Sequence, residues 1–149
     1  MKPLLLILLY FVSVDVNYSD SYQKDAWKCL DNSYKTLLTD PKQSAAYSMQ
    51  AYDILKQTTD SALIVYTLSM SGHAYMLYGN FDLSMNVYYK ALSYCPEKDL
   101  KAKAKINLNL GTLYGSLKDF SKAMELIDNA TSTSVSYTHL RAHETRSNL

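Results

Sequence analysis

Residues 68–96 read Leu68-Ser69-Met70-Ser71-Gly72-His73-Ala74-Tyr75-Met76-Leu77-Tyr78-Gly79-Asn80-Phe81-Asp82-Leu83-Ser84-Met85-Asn86-Val87-Tyr88-Tyr89-Lys90-Ala91-Leu92-Ser93-Tyr94-Cys95-Pro96. Apolar residues fall at helical steps up to Tyr78, a pattern that reaches back through Val65 and Ala62 to Ser61. Tyr78-Gly79-Asn80 supplies a turn, a return helix runs from Phe81 to about Cys95, and Pro96 closes it. The stretch therefore predicts a helical hairpin.

Its pieces recur. Ser44, Ser84 and Ala123 are 40 and then 39 residues apart, and Ala51, Ala91 and Ala130 keep the same step. Asp40, Asn80 and Asp119 lead each set by four. Gly72 pairs with Gly111, and Tyr75 with Tyr114. A fixed period in this range means stacked hairpins, none of which can bury its apolar face alone. The third unit predicts helices from Leu100 to Leu117 and from Phe120 to about Asn129, around Lys118-Asp119. The first is more worn: Asp25 to about Leu38, a Thr39-Asp40-Pro41 turn with Asp or Thr as cap, then Gln43 to about Lys56. The units are 25–60, 61–99 and 100–130 within a repeat domain of 20–130. Small residues are wanted where helices cross closely, so Gly72, Gly111, Ala91 and Ala130 mark crossings. The rings of Tyr75, Tyr114, Phe81, Phe120 and Tyr88 fill the space beside them.

These residues resemble the tetratricopeptide repeat. The second unit carries Leu68, Gly72, Tyr75, Gly79, Ser84, Tyr88, Ala91 and Pro96; the third carries Leu110, Gly111, Tyr114, Phe120, Ala123, Ile127 and Ala130. The first keeps Ser44 and Ala51, with Asn32 and Lys35 where Gly and Tyr are usual. The period exceeds the family's usual length of about 34 residues. The extra residues are expected between units, near Lys56–Asp60 and Pro96–Asp99. The resemblance implies an all-α, right-handed α-α superhelix, a TPR-like solenoid of about three hairpins. It also implies a concave groove lined by the first helices, at Tyr66, Ser69, His73, Met76, Lys105, Leu108 and Thr112. Most of these are apolar or uncharged. The Lys/Asn set that clamps a terminal carboxylate in chaperone-binding members is not reproduced by Lys105 and Asn109. The implied partner is another protein or a peptide segment.

Composition agrees with an ordered helical chain. Apolar residues make up 48% of it, with four Gly and three Pro, too apolar for disorder and poor in helix breakers. The formal net charge of +1 gives no field for nucleic acid or a membrane surface. The 14 tyrosines suit a thin array in which many rings are half-buried with the hydroxyl wet. Cys29 and Cys95 have neither metal nor redox spacing and read as small packing residues.

Both ends depart from the repeat. Met1-Lys2-Pro3 followed by the apolar run Leu4–Val14 reads as a secretory signal over residues 1–19, too short to span a membrane comfortably. Periodicity stops near Ala130. The string from Val135 to Thr145 resembles translated sequencing-adapter read-through, so residues 131–149 are expected to be a non-native, disordered tail. The native C-terminus is then expected to lie elsewhere and the array to be truncated. His139 and His143, four apart with Glu144 adjacent, would suit a metal on a helix, but that origin removes the reading.

No nucleophile with its base, paired acids, glycine-rich phosphate loop or metal cluster stands out, and none of the cofactor motifs is present. His73, alone on a first helix, reads as a surface or packing residue. Asp53, Asp60, Glu97 and Asp99 read as solvated faces and turns. The cluster of Lys98, Lys101, Lys103 and Lys105 is offset by Glu97 and Asp99. The expectation is a non-catalytic, protein-binding scaffold with no cofactor, no metal and no small-molecule substrate. Exported and periplasmic, it resembles the sensory segment of bacterial envelope regulators, with a free-standing periplasmic adaptor as the alternative. Membrane contact would come only through the signal or a missing C-terminal span.

Overall fold

The computed structural model describes residues 21–147, the side chains of Leu140 and residues 142–147 excepted; the expected signal segment lies outside these residues. Among them stand six helices: α1 Ser21–Thr36, α2 Pro41–Leu55, α3 Ser61–Tyr78, α4 Phe81–Tyr94, α5 Leu100–Ser116 and α6 Phe120–Ser147. Each packs on the next, and α3 also touches α1 and α5. The fold is an all-α, TPR-like solenoid of three hairpins, α1–α2, α3–α4 and α5–α6.

Five helices begin with the same device. Asp40, Asp60, Asn80, Asp99 and Asp119 each accept a hydrogen bond from the backbone N–H three residues on, at 3.0–3.1 Å. Each cap satisfies an otherwise orphaned donor and contributes about 1 kcal/mol. Asp60 and Asp99 therefore do more than solvate a turn. Pro41 occupies the first turn of α2, where its missing N–H costs nothing.

The turns fix the register. Gly79 ends α3 at φ +85°, its N–H on Met76 and that of Asn80 on Tyr75. Lys118 takes the same left-handed corner after α5 at φ +64°, with Asp119 bonding back to Tyr114. The first turn is longer, Leu37 to Asp40, and has no positive φ. Yet α1 ends sooner after its crossing point, so from crossing to crossing the first hairpin is one residue shorter than the second, 11 against 12, which corrects the alignment of the first unit. Ser84 Oγ on α4 donates to the Gly72 carbonyl on α3 at 2.7 Å, and Ser44 Oγ on α2 donates to the Ser33 carbonyl on α1 at 2.7 Å. Ser33, not Asn32, thus stands where Gly72 and Gly111 stand; Ser33 is fully buried and Asn32 is not. Thr36, not Lys35, then matches Tyr75. In the first helices the step is 39 residues throughout, from Ser33 to Gly72 to Gly111.

The core runs along the whole array. Leu55, Ile64, Leu68, Ile106, Leu110 and Leu113 are almost fully buried, each stabilising by about 1.5–3 kcal/mol. A seam of buried hydroxyls accompanies it. Ser33 and Ser44 lie 2.9 Å apart, and Ser48 on α2 meets Ser71 on α3 at 2.8 Å across the first unit boundary. Small side chains bring these helices close, and the hydroxyls satisfy one another once buried. The crossing glycines are tighter still: a Cβ on Gly72 would sit 2.7 Å from the Tyr88 ring, and one on Gly111 2.8 Å from Ile127.

The structure differs from the sequence expectation at α6. A helix end near Asn129 and a disordered tail were expected, yet α6 continues to Ser147. Little packing accompanies the extension, for most residues from Thr131 to His139 are exposed. Its hydroxyls turn back on their own helix, Thr131 onto Ile127, Thr133 onto Asn129 and Ser136 onto Ser132, at 2.7–3.0 Å.

Candidate functional site

The first helices α1, α3 and α5 form a row, and the seven groove residues read from sequence lie on two of its members: Tyr66, Ser69, His73 and Met76 on α3, Lys105, Leu108 and Thr112 on α5. Capping fixes the phase of both helices, because Asp60 and Asp99 set where each starts.

Tyr66 is half-buried against the main core, its ring centroid 6.2 Å from that of Trp27 on α1 with the planes tilted by 34°. Burial, and then Tyr34 nearby, pushes its phenol above the ordinary tyrosine value. Met76 also packs against the core, so it forms the floor of the row rather than an offered contact. Ser69 donates to the Val65 carbonyl at 2.8 Å and Thr112 to that of Leu108 at 3.0 Å, which commits their protons and leaves their oxygens as acceptors. Leu108 presents 49% of its surface to solvent.

His73 is the one histidine in the row. Burial, and then Lys105, hold its imidazole below its ordinary value, so it is neutral at neutral pH. Lys105 is itself pushed down by lost hydration and then by Lys101. The row thus runs from an aromatic end at α1 and α3 to a basic, aliphatic end at α5.

The corrected register shows what sequence reading missed. With the 39-residue step, Trp27 aligns with Tyr66 and Lys105, and Tyr34 with His73 and Thr112. The first hairpin contributes to the row after all. The available signal was the single tryptophan of the chain, one period upstream of Tyr66. Trp27 Nε1, and Gln23 Oε1 one turn earlier, are buried polar atoms with no hydrogen-bond partner among the described residues. They are one donor and one acceptor, the complement of a peptide group.

Other chemistry is sparse. Cys29 and Cys95 are free thiols, each pushed up by burial and then by a carboxylate, Asp25 and Asp99 respectively, so neither is an activated thiolate. Among the described residues no group of three or more His, Cys, Asp or Glu side chains could hold a metal. His139 is exposed on α6, and the side chains of His143 and Glu144 lie outside the described residues. A shallow, open depression lined by Tyr78, Phe81, Asp82 and Leu117 lies at the hairpin turns, away from the row. No described helix is long and apolar enough to cross a membrane.

The family model of the tetratricopeptide repeat matches residues 65–98 and 104–134. Gly72 and Gly111 each fall seven residues after a match begins, the same step that the hairpin geometry gives. No curated protein matches the chain.

Proposed function

We propose that the chain is a non-catalytic scaffold that holds an uncharged, apolar or aromatic peptide segment along α1, α3 and α5. The carrying observation is the Trp27–Tyr66 pair, which extends a half-buried aromatic surface across two units at one end of the row. Rings of this kind supply contact area at low entropic cost. Tetratricopeptide repeats are protein-interaction modules, which supports the class of partner. Trp27 Nε1 and Gln23 Oε1 would pair with a main-chain carbonyl and N–H of the segment after a small rearrangement of their side chains.

The single tryptophan makes the test direct. Peptides rich in aliphatic and aromatic residues are titrated into the full chain while Trp27 emission is followed. Saturable quenching or a spectral shift is expected, with affinity reduced about tenfold or more by Leu108→Lys, the loss of one good apolar contact. An unchanged Trp27 signal, or binding indifferent to Leu108→Lys and Lys105→Glu, refutes the groove.

We place the scaffold in the bacterial envelope, as the sensory or interaction segment of a larger regulator. The positively charged start and the apolar run Leu4–Val14 support export. A fusion of residues 1–60 to alkaline phosphatase tests this: periplasmic phosphatase activity is expected, and an inactive fusion refutes export.

A further inference from the structure

A second polar cluster lies on the second helices, away from the row that forms the groove. Tyr52 and Lys56 are four apart at the end of α2, and Lys90 and Tyr94 are four apart at the end of α4, so each pair shares a helix face. The two faces meet. The hydroxyl oxygens of Tyr52 and Tyr94 are 3.2 Å apart, with ring centroids at 6.3 Å and planes at 74°. Lys90 Nζ sits 4.4 Å from the centroid of the Tyr52 ring. Tyr52 belongs to the buried core, while Lys56 and Lys90 are exposed, so the cluster has a fixed floor and a cationic rim.

The cluster is unbalanced in charge. Lys56 bonds Asp53 at 2.7 Å, but Lys90 forms no ion pair with a carboxylate among the described residues. Two ammonium groups thus stand with one carboxylate, an excess of one positive charge. It is unbalanced in protons as well. Burial would push the Tyr52 phenol up, yet hydrogen bonding from Lys90 and Tyr94, and then the charges of Lys90 and Lys56, hold it below its ordinary value. The hydrogen bond with Tyr52, and then burial, push the Tyr94 phenol up. These opposite directions make Tyr94 the donor and Tyr52 the acceptor of their shared bond. The O–H of Tyr52 is left to donate outward.

We propose that this cluster is an oxyanion site that takes a phosphate group, with the Tyr52 O–H, Lys90 and Lys56 as donors. Lys56 serves Asp53 with one of its three protons and keeps the others. Three donors around an excess positive charge suit a tetrahedral anion with three free oxygens better than a planar carboxylate with two. Lys90 needs only to turn its head from the ring to the anion, because a cation over a ring has no fixed hydrogen bond to break. The site spans the first unit boundary, so a bound phosphate ties α2 to α4.

Inorganic phosphate titrated into the full chain tests the site, read by phosphorus NMR and by the backbone amide shifts of residues 52–56 and 90–94. Saturable binding is expected with Kd on the order of 1–10 mM. Lys90→Met should weaken it about tenfold, the loss of one charge-assisted hydrogen bond. Tyr52→Phe keeps the ring, loses the donor and should weaken it about fivefold. Lys42→Met is the control: it removes the same charge about 20 Å along α2 and should change affinity less than about twofold. A phosphoserine peptide separates the sources of the anion. Affinity about tenfold or more above that of inorganic phosphate upholds the site with a phosphorylated partner as its source, and lower gain upholds it with a free anion. No saturation below about 50 mM overturns the proposal. So does binding that Lys90→Met and Tyr52→Phe retain, or that Lys42→Met weakens as much as they do, since either means an adventitious ion only. Groove occupancy is read separately by Trp27, so failure here leaves the peptide-binding test intact.

Discussion

Gly72→Ala is the sharpest test of the packing at the hairpin crossing. The added Cβ would lie 2.7 Å from Cε1 and Cζ of Tyr88 and 2.8 Å from Cδ1. Carbon atoms are comfortable at about 3.5–4.0 Å, so the ring or the helix must give by nearly an ångström. Tyr88 is fully buried and has nowhere to retreat. Overpacking of this kind costs about 1–3 kcal/mol. Against it stands the helix propensity of Ala over Gly, about 1 kcal/mol. The net effect should be a loss of about 0–2 kcal/mol.

Gly115→Ala supplies the control. Gly115 also lies in a first helix, and a Cβ there meets nothing within 4 Å. The same chemical change should therefore stabilise by about 0.5–1 kcal/mol. The difference between the variants isolates the clash at about 1–3 kcal/mol. Gly111→Ala should also fall well below Gly115→Ala, because its Cβ would meet Cγ1 of the β-branched Ile127 at 2.8 Å and the Ala123 backbone carbonyl at 3.2 Å. Urea melts give the ordering, with midpoints moving and slopes unchanged. If Gly72→Ala stabilises as much as Gly115→Ala, the close crossing of α3 and α4 is wrong.

Tyr88 carries a buried hydroxyl with no hydrogen-bond partner among the described residues, so Tyr88→Phe should raise stability by about 1 kcal/mol; a loss in the same melts would reveal a hidden partner. Lys118→Gly should stabilise by about 0.5–1 kcal/mol by relieving the left-handed corner at φ +64°, read as an upward shift in Tm. His73 has a folded pKa held below its ordinary 6.5 by burial and then Lys105. Its stabilising contribution is therefore complete above pH 6.5 and lost as pH falls through the folded value, so wild type should lose more Tm than His73→Gln between pH 7 and 5. Tyr89 is pushed up to about 12 by its hydrogen bond with Tyr114 and then by burial. Its contribution is present below pH 10 and lost as pH rises towards about 12, and a phenolate absorbance titration should lose one late-ionising group in Tyr89→Phe.

Much of the fold was legible because the helices announce their own ends. The second hairpin is bounded by Gly79-Asn80 and Pro96, and its α3 and α4 begin at the residues that the sequence pattern gives, Ser61 and Phe81. The first hairpin was misaligned by one residue because its crossing points stand 11 residues apart rather than 12, and its turn, built without a left-handed corner, has no Gly to mark the change. That slip moved the alignment off Trp27 and Tyr34 and onto the buried side of α1. The caps at Asp60 and Asp99 were missed for a related reason. An Asp before a helix looks like any solvated carboxylate until the N–H three residues on is seen to point at it. The continuation of α6 was not legible at all: Thr131, Thr133 and Val135 are poor helix formers, and no buried partner compensates them.

The unit boundaries are unequal, and this bears on what the groove can do. At the first boundary α2 and α3 press together broadly, through Ser48 on Ser71 and Ala45 beside Ala74, all buried. At the second, α4 meets α5 over a much narrower strip, and its polar contacts, Tyr89 on Tyr114 at 3.2 Å and Tyr114 on Met85, lie towards the surface. In a linear array stability is a sum of unit and boundary terms, so the third hairpin is the one held least firmly. The candidate groove straddles that junction, with Trp27, Tyr34 and Tyr66 on the firm side and Lys105, Leu108 and Thr112 on the other. A segment lying along all three first helices adds contacts at both boundaries, and the gain matters most at the weaker one. Its binding energy is therefore linked to the order of α5 and α6.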